Sequence, residues 1–426
     1  MIKTIKINGF KSIHDLGDSG LELGTVNCFI GANGVGKSNI LEAIGVLGAA
    51  ANGMVDDEAL LRRGVRAGLP RLYKSSFRGT PAQPHIGIEA VSVQGAMYRV
   101  SLLNPLESPE PAWTFKTERL EQGGEVIVSD GVRNKRNLNP KSGLAALRMV
   151  DLEPGNAAAD LLAELQQYAI YCPNTPTLRG MVPDQQTREP VGLSGGRLAE
   201  AIDDLRHSAL ADESGLLDDL LGMLDWASDV STTRSTQTLL SPSVPRAQTV
   251  LKFTDRYMAA SRNELTAYDA SEGALYVLYC AALCLAERGP SVLAIDNLDQ
   301  ALNPRLVKAL VQRLHGWLTQ RGSPPRQLLF TAHNPAVLDG LDLSNDAVRL
   351  FAVGRNNLGH TSVHRIEMTP ELAALNQQYP LSRLWPMGHL GAVPGGGRLA
   401  DRERNPEGRT AGRAVPSHLR AGATAA

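Results

Sequence analysis

Residues Gly31 to Ser38 read Gly-Ala-Asn-Gly-Val-Gly-Lys-Ser, the GxxxxGK pattern closed by a hydroxyl residue. Each residue type has a chemical use. The glycines let backbone N–H groups turn toward phosphate oxygens, Lys37 reaches the β- and γ-phosphates, and the Ser38 hydroxyl suits a magnesium ion. The candidate phosphate-binding set is Gly31, Asn33, Gly34, Gly36, Lys37, Ser38 and Asn39. Far along the chain, "VLAIDNLDQALNP" (292–304) carries an apolar run into acidic residues. Asp296 stands where nucleotide hydrolases place a magnesium-organising carboxylate, so Ser38 and Asp296 are the candidate metal ligands. Asn297 follows, where many such enzymes carry the glutamate that activates water. An amide can orient water but cannot take its proton, and Asp299 is a nearby carboxylate that could substitute. The chemistry expected is binding of a nucleoside triphosphate with magnesium, followed by slow transfer of phosphoryl to water. That transfer needs positioning and charge stabilisation more than a strong base.

Such residues need elements to hold them. The loop lies between the apolar strand "TVNCFI" and a helix whose N-terminus adds a favourable dipole. Short alternating segments between about 85 and 130, such as "IGIEAVSV" and "GEVIVSD", predict an antiparallel meander. Leucines at helical spacing, as in "AADLLAELQQYA" and "LLDDLLGMLDWA", predict helices from about 143 to 225. After about 265 an apolar helix, the strand before Asp296, another helix and "QLLFTAH" restore an α/β alternation. The expected fold is α/β, a phosphate-loop head with an antiparallel β subdomain and a helical insertion. Its parts are expected at 1–50 and 265–390 (the two lobes of the head), 51–142 (β-rich) and 143–264 (helical). The tail, 391–426, is rich in Gly, Arg, Pro and Ala and is expected to be disordered.

A length of 426 residues suggests two or three structural units. With 43 Lys+Arg against 44 Asp+Glu the net charge is −1, so no global field draws the chain to nucleic acid or to an anionic membrane. The start, "MIKTIKINGFKSI", lacks the apolar core of a signal peptide, and the longest apolar run, Ala274 to Ala286, is too short for a bilayer. A cytoplasmic location without membrane contact is expected. Cys28, Cys172, Cys280 and Cys284 are too few and scattered for a disulfide framework, and Cys280 and Cys284 read as core packing in an apolar helix.

Gly192-Leu193-Ser194-Gly195-Gly196 matches the GxSxG pattern of serine hydrolases. The segment before it, "PDQQTREP", is polar rather than a buried strand, so it reads as a glycine turn leading into a helix.

Phe10-Lys11-Ser12, "GANGVGKSNILEAI", Ser271-Glu272-Gly273 before an apolar helix, "AIDNLDQALNPRL" and "LLFTAHNPAVLD" together resemble the ABC-type P-loop ATPase heads of the RecF, SMC and OLD group. Compact AAA-like ATPases often found in bacterial anti-phage systems are the nearest in pattern. The resemblance covers residues 1–50 and 265–390. It implies that Gly31, Gly36, Lys37 and Ser38 are Walker A, Asp296 is the Walker B aspartate, and Ser271 and Gly273 are the signature, although Ser271 also reads as a plain helix cap. Gln300 to Asn303 would form the D-loop, and His333 would be the switch histidine that senses γ-phosphate. ATP and Mg2+ are the implied cofactors. Two heads of this kind sandwich two ATP molecules, so a homodimer on ATP binding is implied. The region where the family has its glutamine loop, "YCPNTPTLRG", offers no matching glutamine. The nuclease domain that OLD relatives append is not recognised after position 390, which implies an effector in another chain.

Arg62, Arg63, Arg66, Arg71, Lys74 and Arg78 fall in a stretch without acids between Leu60 and Ile88, interleaved with Tyr73 and Phe77. That stretch is a candidate for a DNA backbone, by counterion release and stacking; a solvated face or a docking surface for an acidic partner fits equally. The leading expectation is an ATP-binding, slowly hydrolysing ATPase that dimerises on ATP and gates DNA-related or anti-phage activity of a partner. The alternative is an ATP-dependent scaffold or sensor without hydrolysis.

Overall fold

The computed structural model describes residues 1–129, 139–153, 155–208, 216–234, 240, 249–320 and 325–390, all within the unit Met1–Pro394. The tail expected to be disordered lies outside the described residues. The chain begins with β1 (Ile2–Phe10), β2 (Ile13–Asp15), β3 (Leu21–Glu22) and β4 (Val26–Ile30), then enters α1 (Lys37–Ala51). Next come β5 (Ile86–Ser92), β6 (Met97–Leu103), β7 (Thr114–Gln122) and β8 (Glu125–Val128). Short strands follow: β9 (Ile170–Tyr171), β10 (Ala227–Arg234), β11 (Thr249–Asp255) and β12 (Glu264–Thr266). The last four are β13 (Val292–Ile295), β14 (Gln327–Ala332), β15 (Val348–Arg355) and β16 (Thr361–Ile366).

Two sheets matter for the site. One is antiparallel, in the order β2-β1-β5-β6-β7-β8 with β3 also on β1; its strands alternate, as in β5, where every second residue faces the core. The other runs β16-β15-β4-β14-β13-β9, with β15, β4, β14, β13 and β9 parallel and β16 antiparallel at the edge. Strands β4, β13 and β14 are buried at every position and mostly apolar, as parallel strands with both faces covered tend to be. Helix α1 packs against strands of both sheets, β1 and β5 in one and β14 in the other. Nearly all of it is therefore buried, which accounts for the run "ILEAIGVLGAA" being apolar apart from Glu42.

The antiparallel meander appears as predicted from spacing. The stretch 143–264 differs from an all-helical insertion: β9, β10 and β11 accompany helices such as Ala157–Gln167 and Leu198–Arg206. "ASDVSTTR" carries the β-branched Val230, Thr232 and Thr233, and it pairs along its length with β11. Among the described residues no helix is long and apolar enough to cross a membrane. Cys28, Cys280 and Cys284 are buried and unbridged.

Candidate functional site

The carboxyl ends of β4, β14 and β13 lie side by side, and the chain leaves them at Gly31, His333 and Asp296. In open parallel sheets this edge is where ligands bind. Because β14 lies between β4 and β13, His333 falls between the phosphate loop and the acidic segment.

The loop is built around two glycines that no other residue could replace without movement. A Cβ on Gly31 would meet Val353 O of β15 at 2.1 Å. Gly36 has φ +111, in the left-handed region, and a Cβ there would meet the hydroxyls of Thr361 and Ser12 at 2.3 and 2.5 Å. Helix α1 has no side-chain cap and no acid in its first turn, so its first N–H groups remain available to an anion.

Lys37, only 5 % exposed, donates to Gly31 O at 2.8 Å and Ala32 O at 3.0 Å, and its Nζ lies 3.1 Å from His333 Nδ1. Burial pulls its pKa down to about 8, although Asp296 and Asp299 pull upward. Burial and the neighbouring Lys37 cation hold His333 below the ordinary histidine range. A neutral imidazole beside an ammonium, which can only donate, must accept at Nδ1, so the hydrogen resides on Nε2. His333 Nε2 then donates to Asn297 Oδ1 at 2.9 Å. A directed chain from Lys37 through His333 to Asn297 thus crosses three strand ends.

Asp296 Oδ1 accepts from Ser38 Oγ at 2.9 Å and from Thr331 Oγ1 at 2.6 Å. Thr331 also accepts from the N–H of Asn297 at 2.8 Å, which helps hold that residue at φ +59. Asparagine tolerates this left-handed conformation better than glutamate would. Ser38 and Asp296 present two hard oxygen donors side by side, a set that fits a magnesium ion. Asp299 is 8 % exposed, and its Oδ2 accepts from the N–H groups of His333 (2.9 Å) and Asn334. Its Oδ1 is buried without a hydrogen-bond partner.

Asn33 is exposed at the loop tip. Asn39 is one turn on, with Nδ2 donating to Ser12 Oγ at 2.6 Å and Oδ1 accepting from Arg66 at 3.2 Å. Ser271 is elsewhere: its Oγ caps the helix Glu272–Leu285 by accepting from Ala274 N at 3.3 Å. Gly273 packs against the turn after Asp299, where a Cβ would lie 3.4 Å from Ala301 O. Among the described residues neither is bonded to Lys37, Ser38, Asp296 or His333. Ser194 lies in a turn that Asp184 holds by accepting from Ser194 N (2.9 Å) and Gly196 N (3.2 Å), so the serine-hydrolase pattern is structural.

Three participants were not singled out from sequence. Thr331 is fully buried in an apolar strand, and its hydroxyl two residues before His333 was a readable signal. Glu42, 2 % exposed, forms ion pairs with Lys11 and Arg66. Burial would raise its pKa, but those cations outweigh it and hold the carboxyl below the usual range. Cys172 follows β9, whose Tyr171 O accepts from Asp296 N at 2.9 Å. The residue is exposed at the surface, and partial desolvation, then the Asp296 carboxylate, push its thiol pKa up. Its place at the ligand edge depends on a pairing between β9 and β13 that no local pattern announces.

The basic stretch requires a correction. Arg63 is 4 % exposed and donates to Ala59 O and Gln166 O at 2.9 and 3.2 Å, so it is a buried brace and not part of a surface patch. Tyr73 is 2 % exposed and donates its hydroxyl to Arg66 O at 2.6 Å, so its ring offers no stacking face. Arg62 pairs with Glu58 and Arg66 with Glu42. Among the described residues Arg71, Lys74 and Arg78 form no ion pair; the two arginines are exposed and Lys74 is half-buried.

Residues 26–123 and 252–339 match the family described as "AAA domain, putative AbiEii toxin, Type IV TA system". The chain is also similar to the DNA replication and repair protein RecF of Renibacterium salmoninarum, 33% identical over 136 residues. That match covers 32% of this chain and 33% of the relative, so the chain spans about a third of the length of the curated protein it matches. Among solved structures, an SMC head domain from Thermotoga maritima aligns over 86% of this chain and 99% of its own at 12% identity, with a TM-score of 0.42. An Smc head domain with an extended coiled coil bound to the C-terminal domain of ScpA, from Pyrococcus furiosus, aligns over 88% and 99% at 11% identity, with a TM-score of 0.48. The architecture itself rests on the strand order and loop described above. On the sequence matches, the two lobes around the phosphate loop and the Asp296 strand resemble AAA-domain proteins, and part of the chain resembles the RecF repair protein.

Proposed function

We propose that the protein binds ATP with magnesium at the edge formed by Gly31–Asn39, Asp296 and His333, and hydrolyses it slowly. The observation that carries this reading is the chain from Lys37 through His333 to Asn297, set beside the Ser38–Asp296 pair. Lys37 supplies the cation for the β- and γ-phosphates, exchanging its present bonds to Gly31 O and Ala32 O for phosphate oxygens. Ser38 and Asp296 would hold magnesium, which when bound offsets negative charge on the phosphates. Asn297, whose Oδ1 accepts from His333, can orient water by hydrogen bonds but does not take its proton, because a neutral amide is not a base. Asp299 serves by fixing the backbone of His333 and Asn334 rather than as a base, because Oδ2 is committed to those N–H groups and Oδ1 is buried.

In this reading Ser271 and Gly273, which among the described residues form no hydrogen bond with their own phosphate loop, complete the site of a second copy, so that ATP drives homodimerisation. The matched family concerns a toxin–antitoxin system and the curated relative a DNA repair protein. Carried to this chain, the repair relative favours control of DNA-related activity in a partner protein; control of an anti-phage activity rests on the motif resemblance alone. DNA contact, if made through the basic stretch, falls to Arg71, Lys74 and Arg78 together with the exposed but paired Arg62 and Arg66. The second reading, an ATP-dependent scaffold without turnover, is favoured by the amide at position 297. Calorimetric titration with MgATP, followed by phosphate release from purified protein, tests both. Binding with slow release supports the ATPase, binding without release supports the scaffold, and absence of binding removes both.

A further inference from the structure

We propose that the β15–β16 hairpin is a brace that aims the phosphate loop, with Arg355 and Thr361 as positioning residues for nucleotide. The proposal rests on the nucleotide-binding reading of the loop. Arg355, the last residue of β15, donates through Nε and Nη2 to Gly34 O at 3.1 and 2.8 Å. Its Nη1 donates to Gly359 O at 2.8 Å, which ties the guanidinium to the turn of its own hairpin. Thr361, the first residue of β16, donates to Val35 O at 2.7 Å.

That bond fixes the direction of its neighbour, the contact between Ser12 and Thr361. Asn39 Nδ2 donates to Ser12 Oγ at 2.6 Å, and Ser12 Oγ and Thr361 Oγ1 are 2.7 Å apart. With the Thr361 hydrogen directed at Val35 O, Ser12 donates to Thr361. The relay therefore runs Asn39, Ser12, Thr361, Val35 O, and it passes so close to Gly36 that a Cβ there would strike both hydroxyls.

In a trans peptide the C=O and the following N–H point in opposite directions. Pinning Gly34 O from outside turns the N–H of Val35 inward, and pinning Val35 O does the same for Gly36. These are N–H groups that a phosphate loop presents to an anion. Lys37 holds Gly31 O and Ala32 O, but phosphate oxygens compete for Lys37 when nucleotide enters. Arg355 and Thr361 bind the loop from a different strand pair and keep their grip throughout. The loop is thus ordered before ligand arrives, and ordering already in place is not charged against affinity.

The experiment compares wild type, Arg355→Ala, Arg355→Lys, Thr361→Val and Thr361→Ser, with thermal unfolding as a check that each variant folds. Hydrogen exchange of the peptide spanning residues 31–40 is measured without nucleotide, and MgATP affinity and turnover at saturating ATP are measured beside it. Thr361→Val, which loses one bond to Val35 O, should raise exchange and weaken MgATP binding by about tenfold, and Arg355→Ala, which loses two bonds to Gly34 O, by at least as much. Turnover at saturation should stay as in wild type. Thr361→Ser should restore binding, and Arg355→Lys, which keeps the charge but loses the fork, should restore it only in part. Unchanged exchange in both truncations, or raised exchange with unchanged affinity, overturns the brace. Full rescue by Arg355→Lys overturns it in favour of a charge effect. Because exchange is read without nucleotide, failure of the wild type to take up MgATP would sink the nucleotide reading alone.

Discussion

The phosphate edge and the basic stretch 62–78 both announce themselves in sequence by residue type, yet the structure treats them differently. At the edge, Lys37, Ser38, Asp296, Asn297 and His333 arrive from three strand ends and bond to one another. In the basic stretch, Arg63 is buried, Arg66 is paired with Glu42 from α1, and Arg62 is paired within its own helix. A motif built on backbone geometry carries its own context, because strand, loop and helix are contiguous. A count of charges does not, because the partner that neutralises a side chain can come from anywhere in the fold.

The largest test of this contrast is Lys37→Ala. It should weaken MgATP binding by at least about a hundredfold, since a charged hydrogen-bond donor is lost from a buried position. Calorimetry checks this, and unchanged affinity would erase the distinction between the two regions. Next is Ser271→Arg, expected to abolish an ATP-dependent shift from monomer to dimer in sedimentation while leaving ATP affinity intact. Ser194→Ala in the Asp184-bound turn should change neither.

A pH titration sharpens the electrostatic side. Phosphate binds the charged form of Lys37, whose pKa in the free protein is lowered to about 8. Below that value the ammonium is already present and this group gives no pH dependence. Above it, binding must take up a proton, so MgATP affinity should fall with rising pH, by up to about tenfold per unit. A flat profile between pH 8 and 9.5 would show that Lys37 is not perturbed in this way.

The smallest effects separate arginines within the basic stretch. Arg63→Ala removes the donor from two carbonyls in a buried setting and should cost roughly 2–4 kcal/mol in denaturant unfolding. Arg71→Ala, on the surface, should stay within about 0.5 kcal/mol. If DNA is bound there, Arg71→Ala should instead lower the salt slope of binding by about 1. Equal stability losses for the two variants would contradict the burial difference.

Much of the edge was legible because its chemistry is local. Glycine spacing in "GANGVGKS" fixes a strand–loop–helix unit, and "SVLAIDN" and "LLFTAH" are apolar runs ending in polar residues, as buried parallel strands must. The bonds among these ends were not legible. That His333 contacts both Lys37 and Asn297 follows from β14 lying between β4 and β13, an order no sequence pattern states. The grip of Arg355 on Gly34 and the place of Cys172 beside Asp296 depend likewise on pairings more than a hundred residues apart. β10 and β11 went unread because the leucine spacing before them suggested helix up to their boundary.

In the proposed function, ATP is held by Lys37 and its neighbours while Asn297 limits its hydrolysis. The direct test is the single-turnover rate of phosphate release in wild type, Asn297→Glu and Asn297→Asp. Glutamate has the reach of a general base but strains the left-handed backbone; aspartate accepts that backbone but is shorter. Release should be slow in wild type and accelerate in at least one variant, within the range of about 10² to 10⁴ that a general base contributes. Fast release in wild type, with no gain from either carboxylate, would contradict that role of Asn297.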